Sequence, residues 1–203
     1  MRYFLIILAA YFLGSSNLAY YLGRLKQVDL TKGGSGNLGA SNTTILLGWG
    51  AGVMVGIHDI AKAALAVFLA ELLCPELSYA GAVAGVACVM GHIFPFYLKF
   101  KGGKGLASLI GATLILNWKV AAVAIALLVV ITVVTQYIVL GTLGVSVVVP
   151  IGIGLLGQSL WLGLILLIAS VVIIYKHLEN FRRIYHRTEI RLGSAIRGEN
   201  RVK

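Results

Sequence analysis

The chain has 203 residues, 59% of them apolar and only 12% charged, with a mean hydropathy of +0.94 and a formal net charge of +10. Soluble domains carry about 25% charged residues, so disorder, coiled coil and collagen are excluded and an ordinary water-soluble core is strongly disfavoured. Cys74 and Cys88 offer neither a disulfide framework nor a zinc-ligand spacing. Composition therefore predicts an integral membrane protein, whose basic excess serves orientation in a bilayer before any polyanion.

The first apolar run covers residues 3–23. A signal peptide is the competing reading, but the run continues past Ser15-Ser16-Asn17 and is too long for one. A polar, glycine-rich stretch follows to about Thr44, and further apolar runs cover residues 46–73, 79–95, 105–116, 120–134, 138–156 and 160–175. Without the alternation of barrel strands, helices are the form such runs take in lipid. The expectation is thus a single all-α transmembrane domain over 1–203, with seven transmembrane helices and a basic tail over 176–203. The fourth run is short enough to be half a span or a tilted partner of the fifth. Glycines spaced by four, Gly48, Gly52 and Gly56 with Gly81 and Gly85, read as helix-packing positions.

Seven spans place Arg24, Lys26 and Lys32, then Lys99, Lys101 and Lys104, and then eight tail cations on one face, which holds 14 of the 17 Lys and Arg residues. Positive-inside then puts the N-terminus outside and the C-terminus in the cytoplasm.

Every dense polar cluster falls on that cytoplasmic side. The first runs from Lys32 through Gly33-Gly34-Ser35-Gly36-Asn37-Leu38-Gly39-Ala40-Ser41 to Asn42. The second begins Gly91-His92-Ile93-Phe94-Pro95 and continues through Lys99-Phe100-Lys101-Gly102-Gly103-Lys104-Gly105 to Ser108. Both contain Lys-Gly-Gly-x-Gly. Such loops expose consecutive backbone N–H groups beside positive charge, and the second opens a helix, which suits an anion site; a flexible loop whose lysines only hold the topology is the other reading, and two such loops on one face favour phosphate. It is not a Walker A loop, because Leu98 and Gly105 stand where Gly and Ser or Thr belong.

The third cluster holds His177, Glu179, Asn180, Arg182, Arg183, His186, Arg187 and Glu189, with His177 and Asn180 three apart on one helical face. In the second run His58, Asp59 and Lys62 are charged or polar, and Asp59 with Lys62 reads equally as a functional site or as a bracing ion pair. No ligand set predicts a metal, neither cysteine suits a nucleophile, and Phe181 and Tyr185 are too sparse for a nucleic-acid platform.

These motifs resemble those of the bacterial acyl-phosphate:glycerol-3-phosphate acyltransferases, the PlsY family. Residues 35–42 resemble its SGNxGATN box, residues 91–105 its GHxFPxFxxFKGGKG box, and His177-x2-Asn180-x2-Arg183 with Glu189 its HxxNxxRLxxGxE motif. Asp59-x2-Lys62 resembles its DxxKG. The resemblance implies an enzyme of the bacterial cytoplasmic membrane whose active site faces the cytoplasm. Its reaction moves an acyl group from acyl phosphate to the sn-1 hydroxyl of glycerol 3-phosphate, giving lysophosphatidic acid and phosphate. Acyl phosphate, glycerol 3-phosphate and the bilayer are its partners; no cofactor, metal or nucleic acid is implied, and a monomer is expected. By the same resemblance Ser35, Lys104, His177 and Asn180 are catalytic. Gly36, Asn37, Lys101, Gly102, Gly103, Gly105, Thr142 and Arg183 bind substrate phosphate, and His92, Asp59, Lys62 and Glu189 support the site.

The chain departs from the family at four places: Ile45 stands for an Arg, Val139 for one of two serines on the sixth span, Ala63 for the Gly of DxxKG, and Arg187 for the Gly of the third motif. Two alternatives stay open on these residues: a divergent paralogue with an altered acceptor or lost activity, and a small-anion transporter.

Overall fold

The computed structural model describes residues 1–157 and 159–197, and in these it is built of helices alone. Gln158 and the tail residues 198–203, among them the expected cytoplasmic cations Arg201 and Lys203, lie outside the described residues. The order is α1 (Arg2–Ser15), α2 (Leu18–Leu25), α3 (Ala40–Leu47), α4 (Trp49–Leu73), α5 (Ala80–Ile93), a 3-10 turn (Phe96–Leu98), α6 (Leu106–Leu116), α7 (Trp118–Thr135), α8 (Ile138–Leu156), α9 (Leu160–Tyr185) and α10 (Leu192–Arg197).

Six segments are long and apolar enough to cross a membrane: Arg2–Leu25, Trp49–Leu73, Ala80–Leu98, Trp118–Thr135, Ile138–Leu156 and Leu160–Tyr185. Large apolar side chains such as Ile57, Phe68, Val130 and Ile168 stand exposed on them, as lipid contact requires. The chain is thus an integral membrane protein. The expected fourth span is α6, which has 11 residues and covers only about 16 Å of a roughly 30 Å hydrocarbon layer.

Three boundaries differ from the hydropathy reading. The first run is two helices: Asn17 is extended and its side chain accepts from Tyr20 N at 2.8 Å, capping α2 afresh. The second run divides at Gly48, whose φ of +91° ends α3 and starts α4. The last continues to Tyr185, because a helix leaving lipid keeps its own hydrogen bonds after its side chains turn polar.

Packing depends on small residues. α1 lies along α5, where a Cβ at Gly14 would overlap the Cys88 carbonyl and one at Gly91 the Tyr11 carbonyl. Gly111 brings α6 equally close to Ile60 of α4. The glycine spacing read from the sequence marks helix contacts: Gly52 and Gly56 of α4 face Thr44 and Ala40 of α3, Gly81 of α5 faces Glu71 of α4, and a Cβ at Gly85 would stand 2.9 Å from Ala112 Cβ and 3.3 Å from Val67 Cγ2; Gly48 is instead the break between α3 and α4. One apolar core joins α5 to α9 through Ile93, Leu109, Val149, Leu166 and Ile173; an alanine-rich one joins α1, α4, α5 and α6.

Candidate active site

The second glycine loop folds back over the end of α5. Gly102 N donates to Ile93 O at 3.0 Å and Gly103 N to His92 O at 3.1 Å. A Cβ at Gly102 would overlap the His92 carbonyl, and one at Gly103 its imidazole, so the loop sits against His92 only because both are glycine. Gly105, at φ +92°, then turns the chain into α6. The first N–H groups of that helix have no partner one turn back, and Lys104 stands at its entrance; Lys101 is exposed.

Lys104 Nζ donates to Asn180 Oδ1 on α9. Asn180 Nδ2 donates to Glu189 Oε1 at 2.6 Å, and the other carboxylate oxygen accepts from Arg183 Nε at 2.8 Å. Glu189 reaches them because Arg187, at φ +58°, reverses the chain after α9 and lets Thr188 N and Glu189 N donate to Arg183 O. Two-sided engagement by Lys104 and Glu189 fixes the Asn180 amide. Burial pushes Lys104 down to about 8; repulsion from Arg183 adds to it, Glu189 opposes it, and Lys176 repels further. One turn before Asn180, the buried His177 donates from Nδ1 to Ile173 O at 2.7 Å. A carbonyl can only accept, so the neutral ring keeps its proton on Nδ1 and its lone pair on Nε2.

The first loop is organised by the fully buried Asn42, which accepts from Ser35 N at 2.7 Å and donates to Leu30 O at 2.9 Å. Gly34 and Gly36 both take positive φ, and Ser35 and Asn37 are left half-buried. No hydrogen bond among the described residues joins Ser35, Gly36 or Asn37 to the Lys104–Asn180–Glu189–Arg183 chain. Thr142 is buried on α8 and donates to its own helix at Ile138 O, 3.0 Å away. Ile45 lies beside Gly34, apolar where a cation was looked for.

Asp59 and Lys62 form an ion pair of 2.8 Å, both buried. Lys62 Nζ also donates to Ser16 O at 2.7 Å and approaches His92 Nδ1 at 3.0 Å, and Asp59 stands 3.3 Å from that same nitrogen. His58 bridges Ser16 Oγ (3.2 Å) and Asp59 (3.4 Å). The ammonium thus satisfies a carbonyl freed by the break in the first run, and Tyr97 OH satisfies its neighbour, Ser15 O, at 3.0 Å. Asn17 donates to Leu38 O of the first loop at 3.1 Å. Through this break the buried charges connect both glycine loops.

Asn17, Tyr97, Asn42 and Ser16 take their roles from partners distant in the chain, which the sequence does not display. A lone Asn inside an apolar run was the available sign for Asn17.

The chain matches the family model described as glycerol-3-phosphate acyltransferase over residues 4–187. It is 36% identical to the glycerol-3-phosphate acyltransferase 1 of Oceanobacillus iheyensis, over 97% of this chain and 98% of that protein. The crystal structure of PlsY, an integral membrane glycerol 3-phosphate acyltransferase, superposes in its glycerol 3-phosphate form with a TM-score of 0.90 at 29% identity, covering 96% of this chain and 97% of that one. The lysophosphatidic acid form gives 0.87 at 28% identity, over 97% and 99%.

Proposed function

Because the chain belongs to the glycerol-3-phosphate acyltransferase family, we propose that it transfers an acyl group from acyl phosphate to the sn-1 hydroxyl of glycerol 3-phosphate. The observation that carries this reading is the hydrogen-bonded run Lys104–Asn180–Glu189–Arg183, which joins a glycine loop to the helix bearing His177. Both substrates carry phosphate, and the donor also carries a fatty chain. Anion-binding loops at a membrane surface, beside lipid-facing helices, suit that pair.

Lys104 and the backbone N–H groups at the start of α6, with Gly102, Gly103 and Gly105, hold a phosphate; Lys101 and Arg183 add charge, and Gly36, Asn37 and Thr142 complete the substrate contacts. His177 Nε2, with Asn180 and Ser35, accepts and aligns the attacking hydroxyl. The hydroxyl oxygen attacks the acyl carbonyl, its proton passes to His177 Nε2, the acyl–phosphate bond breaks, and phosphate leaves with the charge it gains held by Lys104. An acyl phosphate is already activated, so alignment and charge stabilisation supply the catalysis without an enzyme nucleophile or cofactor. Asp59, Lys62, His92 and Glu189 hold the loops and Asn180 in place.

We read α6 as a seventh membrane-embedded segment. With the N-terminus outside, the glycine loops and α9 end face the cytoplasm of a bacterial inner membrane, the side that collects 14 of 17 cations.

The test is phosphate release and lysophosphatidic acid formation by purified protein given acyl phosphate with and without glycerol 3-phosphate. Acceptor-dependent release is expected, and Lys104→Ala and His177→Ala should each lower it at least about 100-fold with the protein still folded. Undiminished turnover in either variant would sink the assignment. Ile45 and the back-bonded Thr142 favour one second reading, a paralogue with another acceptor, which predicts acyl transfer to a different phosphorylated polyol.

A further inference from the structure

Among the eight cations after residue 175, Lys176 differs from those that serve only topology. It is half-buried, whereas Arg182 and Arg187 are exposed. It precedes His177 by one residue and Asn180 by four, which on a helix places it beside Asn180. Its Nζ stands 5.5 Å from the centroid of the Phe94 ring. Phe94 is itself held at both ends, its N–H donating to Met90 O at 2.8 Å and its carbonyl accepting from Tyr11 OH at 2.7 Å. The residue before it, Ile93, takes the N–H of Gly102. The aromatic seat of Lys176 is therefore a rigid extension of the glycine loop.

The neighbouring carboxylates are engaged elsewhere, Glu189 by Asn180 and Arg183 and Glu179 by Arg182 at 3.8 Å. Lys104 experiences both Arg183 and Lys176 as repelling like charges. Lys104 thus shares partly desolvated surroundings with two further cations, Arg183 and Lys176, an arrangement that a dianion would relieve and that an aromatic face only partly offsets.

We propose that Lys176 binds a substrate phosphate, completing with Lys104 and Arg183 a three-cation cradle above the glycine loop. The inference rests on the acyltransferase reading of the same site and adds to it a ligand-binding residue from α9.

The experiment varies each substrate in turn with the wild type, Lys176→Met and Lys176→Arg. Lys176→Met is expected to raise KM for one phosphate substrate about tenfold or more with kcat changed less than about threefold, and Lys176→Arg to restore most of the loss. Which KM moves, that for acyl phosphate or that for glycerol 3-phosphate, identifies the phosphate held. Unchanged KM for both, or a fall in kcat alone, overturns the proposal. Should Lys176→Met not fold, Phe94→Leu removes the aromatic seat, and the same shift in KM is required of it. A wild type without acceptor-dependent release sinks the acyltransferase reading instead. Lys176 is then judged by calorimetric titration with inorganic phosphate, where weakening of about tenfold in Lys176→Met supports the proposal and equal affinity overturns it.

Discussion

Lys104 carries its charge under pressure from burial and from two neighbouring cations, which bring it to about 8. Below that pH the ammonium is present to meet a phosphate, and above it the charge is progressively lost. KM for the phosphate it holds should therefore be level through neutral pH and climb several-fold by about pH 9, with the alkaline limb moved upward in Lys104→Arg. Initial rates across the pH range check this, and a KM flat to pH 9 in the wild type would count against it. Arg187 shows what a sequence departure means physically. The family glycine stands at a turn that this chain makes at φ +58°, a conformation in which an L side chain is strained by about 1 kcal/mol or more. Resemblance alone marked Arg187 as unusual; the backbone shows that it takes the strain in order to return Glu189 to Asn180.

Helix existence was legible from composition because hydropathy adds along the chain, and the run at 138–156 coincides with α8. Helix interruption was not, because Ser15-Ser16-Asn17 barely lowers the hydropathy of the run in which it sits. The break depends on partners distant in sequence: Lys62 and Tyr97 take the freed carbonyls, and Asn17 bonds both Tyr20 and Leu38. Asn17→Ala removes a cap and a buried donor together and should cost about 1–3 kcal/mol. It should also loosen the first loop, which denaturation midpoints and proteolysis between residues 24 and 39 would report; equal midpoints and cleavage would disprove the role of Asn17 in holding it. Pairings across the bundle were equally out of reach: that Lys104 meets Asn180, 76 residues away, follows from the packing of α5, α6 and α9, not from either motif. Charge counting could not separate Lys176 from its neighbours, since it weighs every tail cation alike.

At the scale of the whole molecule, α5 has 14 helical residues before Pro95 and α6 has 11, so they rise about 21 and 16 Å where the hydrocarbon measures about 30 Å. Of the two, only α6 is too short to cross by itself, since α5 with Phe96–Leu98 forms a segment long enough to do so; residues 99–105 join the full crossing to the short one. On the acyl-phosphate reading proposed above, glycerol 3-phosphate would reach the loop from water and the fatty donor from the lipid beside it. On that reading bilayer thickness bears on the site, because the mismatch between the 11-residue α6 and the hydrocarbon layer grows in a thicker bilayer and shrinks in a thinner one. Turnover in vesicles of phosphatidylcholines graded from short to long chains should accordingly fall as thickness increases, and a response indifferent to chain length would contradict it. On the proposed reading, a cell that lengthens its fatty acids would by this route slow the step that consumes them, through the length of one short helix and without any regulatory ligand.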